Sequence, residues 1–62
     1  MEKIKLFYKD VDGKETYLIA EGENIEIASK NAVKEFQVLR EIYGENTLPI
    51  SNITRMDKIV DN

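Results

Sequence analysis

NIEIASKNAVKEFQVLREIYG, residues 24–44, decides the fold. Within it Ile25, Ala28, Ala32, Phe36, Leu39 and Tyr43 recur at steps of three and four. At 3.6 residues per turn, that spacing gathers them into one apolar stripe. Glu26, Lys30, Lys34, Gln37, Arg40 and Glu41 fall on the opposite side. The pattern predicts an amphipathic helix whose stripe must be buried against another element. Asn24 suits the N-cap, because its short side chain accepts from an unpaired backbone N–H of the first turn. Glu23 and Glu26 lie near the positive end of the helix dipole, where acids are favoured. Gly44 ends the helix as a left-handed residue. Ile25 and Ile27 alternate with polar neighbours, so an extended chain running a few residues past Asn24 is an alternative start.

Upstream, residues 3–9 alternate: Ile4, Leu6 and Tyr8 point one way, Lys3, Lys5, Phe7 and Lys9 the other. Period two predicts a strand with one more apolar face. Asp10-Val11-Asp12-Gly13 then supplies an Asp suited to opening a type I turn and a Gly suited to closing it. Residues 14–21 form the returning strand. A loop of Val11 to Gly13 sets Ile4 against Ala20, Leu6 against Leu18 and Tyr8 against Thr16. On the other face it sets Lys3 against Glu21, Lys5 against Ile19, Phe7 against Tyr17 and Lys9 against Glu15. Opposite-charge and aromatic cross-strand pairs each stabilise by roughly 0.2–1 kcal/mol. The shorter loop, Asp12-Gly13, would set Ile4 against Glu21 and fits less well. Glu21-Gly22-Glu23 breaks the strand.

Downstream, Gly44 to Pro49 is a loop, with Pro49 and its predecessor kept out of helix. Residues 50–60 are rich in β-branched side chains and predict a third strand. Its alternation is untidy; Thr54, Met56 and Val60 are assigned to the helix side. The helix returns the chain along the sheet, and a right-handed crossover carries the third strand to the free edge of the first. The expected architecture is α+β: a two-layer ββαβ fold, a fully antiparallel three-stranded sheet in order 2-1-3, one helix on one face. Residues 1–62 read as one small domain. Met1 opening directly into a strand reads as a complete small protein.

Composition narrows the functions. There is no Cys and no His, which removes disulfides, thiolate chemistry and the commonest general base and metal ligand. Ser29 and Ser51 have no His to activate them. Asp10 with Asp12 is a carboxylate pair inside a turn, and a hard cation wants more oxygens than that turn offers. Asn52-Ile53-Thr54 matches a glycosylation acceptor without an export signal beside it. The expectation is a non-enzymatic protein without cofactor or metal. No signal peptide or membrane span is present in the pattern, so a cytoplasmic location follows by default. The net charge is -3, with the excess acid in residues 21–45. The Ile-, Lys-, Glu- and Asn-rich composition resembles that of small proteins from AT-rich bacterial or phage genomes.

One helix shields one side of a sheet. Phe7, Tyr17 and Ile19, flanked by Lys5 and Lys9, are left together on the other, and an exposed apolar cluster marks a contact site. The expected role is protein–protein contact, with an unknown partner or with a second copy as a homodimer. Against it stands an ordinary solvated face, with lysine stems lying over two rings. Aromatics among lysines on an open sheet also stack nucleotide bases, so nucleic-acid binding is the alternative; no segment is a basic patch, which weighs against it. Ile27, Val38 and Ile42 form a second stripe on the helix flank. It is read as covered by Leu48 and Ile50 from the following loop, or else as a helix-mediated dimer contact.

Overall fold

The computed structural model describes residues 1–60. Its elements are β1 (Glu2–Lys9), β2 (Glu15–Gly22), α1 (Ile25–Tyr43), a single 3₁₀ turn (Ile50–Asn52) and β3 (Ile53–Ile59). The sheet order is β2-β1-β3 and both pairings are antiparallel. The β1–β2 register matches the three-residue loop pair for pair, from Lys3 opposite Glu21 to Lys9 opposite Glu15. Asp10 builds the turn. Its Oδ1 accepts from the backbone N–H of Asp12 (2.9 Å) and of Lys14 (3.0 Å), and Gly13 closes it at φ 81°.

The helix begins where its cap predicts. Asn24 is extended, and its Oδ1 accepts from Ile27 N at 2.9 Å. Gly44, at φ 99°, ends it by donating from its backbone N–H to Arg40 O at 2.8 Å. Ala28, Ala32 and Phe36 are buried on the sheet, with Ile25 and Leu39 packed beside them. Tyr43, the last residue of the predicted stripe, is exposed instead, because it lies in the final turn. On the sheet, Ile4, Leu6 and Ala20 complete the core, and Tyr8 meets the Phe36 ring edge-on at 5.1 Å between centroids.

Two expectations downstream of the helix are corrected. First, Leu48 does not cover the second helix stripe. The backbone N–H groups of Thr47 and Leu48 both donate to Gly44 O, and this tight turn swings Leu48 back into the main core, where it is buried. Arg40 fastens the turn by donating from Nε to Leu48 O at 3.0 Å. Ile50 stays exposed, and Val38 (54 %) and Ile42 (69 %) are left open. Second, the strand starts at Ile53, three residues later than its composition suggests, because Pro49 leads into the 3₁₀ turn.

A bulge explains the untidy alternation of β3. Tyr8 pairs with Ile53 and Phe7 with Arg55, so Thr54 is the extra residue. Ile53 therefore packs on the core, while Thr54 is exposed and its hydroxyl donates to Phe7 O at 3.2 Å. Met56, opposite Leu6, is on the helix side as expected. Val60 lies beyond the strand and is exposed. The helix itself lies across β2 and β1 and makes few contacts with β3.

Candidate interaction surface

The hairpin places Phe7, Tyr17 and Ile19 on the sheet face turned away from the helix, because Leu6, Tyr8 and Leu18 alternate to the core side. The Phe7 and Tyr17 rings lie 6.0 Å apart between centroids at a 59° tilt. Tyr17 is 51 % exposed and Ile19 46 %. Ile19 stands opposite Lys5, whose ammonium sits 4.4 Å from the Tyr17 ring centroid and 5.6 Å from that of Phe7.

Arg55 joins this group, a residue that the sequence pattern does not assign to it. Its guanidinium lies 4.2 Å from the Phe7 centroid, and its Nε donates to Asp57 Oδ2 at 3.0 Å. Two aromatic rings thus carry a cation each, an arrangement worth about 0.5–1 kcal/mol per pair at an exposed site. Lys9 stands apart, opposite Glu15 at the loop end of the hairpin. The β3 bulge hides Arg55 from a reading of strict alternation, since the face of each β3 residue depends on where the extra residue sits.

Acidic residues alternate with the cations on this face. Lys3 lies opposite Glu21, Lys5 opposite Asp57 and Lys9 opposite Glu15 in the strand register, and Asp57 is ion-paired with Arg55. A phosphate backbone would meet these carboxylates as well as the lysines.

The second stripe is a separate feature. Ile27, Val38 and Ile42 are all exposed on the helix. Asn31, among them, donates from Nδ2 to Glu21 O at 2.8 Å and so ties the helix to the end of β2. Two polar side chains outside these surfaces serve the fold. Asp10 holds its turn, and Asn52 donates from Nδ2 to Lys9 O at 2.9 Å. Among the described residues no three carboxylates converge as a metal site, and no helix is long and apolar enough to cross a membrane.

The ionisation of Tyr8 is shifted. Burial is the main cause, followed by the charges of Asp10 and of Tyr43, and together they raise its pKa above the ordinary 10.0. Tyr8 stays neutral at physiological pH and lines a cleft of about 270 Å³ with Asp10, Val11, Leu39, Tyr43 and Leu48. No protein-family model, curated protein or solved structure matches the chain.

Proposed function

We propose that this chain is a small non-enzymatic binding module that works by protein–protein contact through the open sheet face. The observation that carries the reading is the adjacency of Phe7, Tyr17 and Ile19 on the side the helix leaves bare. Aromatic rings and an arginine in a half-exposed cluster have the composition of an interface centre. Lys5 lies against both rings and Arg55 against Phe7, and such contacts restrict the rings before docking and lower the entropy lost there. The partner is another protein or a second copy of this chain.

A nucleic-acid reading gains from one observation, the addition of Arg55 to the cations around the rings. The carboxylates opposite Lys3, Lys5 and Lys9 favour protein contact over it.

The test is a Phe7→Ser, Tyr17→Ser double variant. Sedimentation of the wild-type chain shows whether it self-associates, and pull-down shows which proteins it holds. The variant is expected to keep its circular-dichroism spectrum and to lose the dimer or the captured partner. A variant that retains its fold and every partner disproves the surface. Titration with labelled single- and double-stranded DNA and RNA at low salt decides the second reading, since phosphate-driven binding is strongest there. Absence of binding at tens of micromolar removes it.

A further inference from the structure

A second surface, independent of the aromatic face, lies along β3. Because the helix sits over β2 and β1, the core-side face of β3 is left with little above it. Met56 shows this. It stands opposite the fully buried Leu6, on the same side of the sheet, and yet is 42 % exposed. The space between it and the helix flank is a groove of about 420 Å³ lined by Met56, Val33, Ser29, Lys30 and Lys34. β3 is also an edge of the sheet. Among the described residues no strand pairs with its outer side, so a row of backbone N–H and C=O groups runs beside the groove.

These two features select an extended chain. Edge backbone groups are satisfied by a strand about 4.8 Å away, and alternate side chains of that strand project to the helix side. The floor of the groove, Met56 and Val33, suits apolar side chains. Its charged residues are cationic. Lys30 and Lys34 line it from the helix, and Lys58, opposite Ile4, lies on the same sheet face as Met56. Lys30 reaches Glu26 at 3.6 Å with both side chains largely in solvent, and Lys58 reaches Glu2 at 3.1 Å. Lys34 has no ion pair among the described residues. An added strand with carboxylates on its helix side meets these lysines.

A second copy joined with its helix on the same side of the sheet does not supply such a strand: β2 then turns Thr16, Leu18 and Ala20 to the helix side, β3 turns Ile53, Met56 and Lys58 there, and neither set holds a carboxylate. We propose that β3 and its groove receive an extended peptide of a partner protein as a fourth strand, with apolar and acidic side chains alternating on the face turned to the helix.

The probe is a capped peptide of about eight residues, a common strand length, repeating Val-Thr-Glu-Thr so that one face alternates Val and Glu. It is titrated at low salt into the ¹⁵N-labelled full chain. Saturable binding is expected, with amide shifts confined to residues 53–59 and 29–34. Replacing each Glu of the peptide by Lys is expected to weaken binding about tenfold or more, as is Lys34→Glu in the protein, because attraction becomes repulsion. N-methylation of alternate peptide amides is expected to abolish it by removing the ladder donors. Met56→Glu is expected to keep the spectrum of the folded chain, since that side chain is already half in water, and to lose the peptide. The proposal fails if the acidic peptide shows no saturable binding, if its methylated form binds equally well, or if the shifts fall on Phe7, Tyr17 and the β2 edge. It fails also if sedimentation finds a dimer that Met56→Glu dissolves, because the groove then belongs to a second copy.

Discussion

Two glycines in this chain are required for different physical reasons, and substitution separates them. A Cβ at Gly22 would stand 2.5 Å from Ala28 N and 2.9 Å from both Ala28 Cα and Ile27 C, which are backbone atoms that cannot swing aside. The first turn of α1 approaches the end of β2 through that missing side chain. Gly22→Ala is therefore expected to push helix from strand, at a cost of about 1–3 kcal/mol, read as a lower urea midpoint. At Gly13 nothing lies within 4 Å of the added atom, and only the positive φ of 81° resists it. Gly13→Ala is expected to cost about 1 kcal/mol, and Gly13→Asn less, since Asn tolerates the left-handed region. Equal losses for Gly22→Ala and Gly13→Asn would contradict the close approach. Tyr8 gives a pH signature. Its pKa is raised in the folded chain by burial first, then by Asp10 and Tyr43, so the folded state holds the phenolic proton more tightly than the unfolded state. That contribution is complete below the ordinary pKa of 10.0 and is lost as pH rises through the folded value. Tyr8→Phe keeps the ring against Phe36 but has no proton to lose. Urea unfolding on both sides of pH 10, the ordinary tyrosine pKa, is expected to show a smaller alkaline loss for the variant; parallel curves would refute this account.

At the scale of elements, the turn after the helix is held by Leu48 as much as by hydrogen bonds. Leu48 is fully buried in the core, and Arg40 reaches its carbonyl. Leu48→Ala is expected to cost about 2–3 kcal/mol, within the range for a buried leucine, whereas Ile50→Ala two residues on should cost little because Ile50 is half in solvent. Chemical denaturation of the pair distinguishes them, and similar losses would mean that Ile50 carries the packing. None of this is visible in the sequence. A lone leucine in a six-residue loop has no period from which its burial can be read, and proximity alone points it to the flank of the helix. The hairpin is the opposite case. Its alternation and its Asp10–Gly13 turn specify the same register independently, and each predicted pair is present. In β3 one inserted residue, Thr54, defeats the alternation, and Ile53 and Met56 share a face at a spacing of three. The same insertion concealed Arg55, so the candidate surface was legible where it rests on the hairpin and incomplete where it rests on β3.

For the whole molecule, the sided arrangement of the sheet sets the stability of each aromatic residue. At roughly 0.05–0.15 kcal/mol per residue, a chain of 62 residues is stable by about 3–9 kcal/mol. Phe36 is fully buried at the centre of the helix–sheet contact, and Phe36→Ala removes about 3–5 kcal/mol, most of that total. It is expected to leave a large unfolded fraction at room temperature, seen by circular dichroism. Phe7 and Tyr17 lie on the open side, where they contribute a tilted ring pair and contacts with Lys5 and Arg55. Together these are worth about 1–3 kcal/mol by the usual values for exposed cation–π and cross-strand pairs. Replacing both rings by serine is thus expected to lower the unfolding midpoint while the chain stays folded, with an unchanged dependence on urea concentration because the core is intact. The order of the two effects is the test. If the double variant unfolds as readily as Phe36→Ala, the rings are structural supports of the sheet and the surface loses its claim to be a docking site. If it stays folded, the chain keeps two aromatic side chains in half-exposed positions that its fold does not require, which is the pattern expected when part of their contribution is made to a partner.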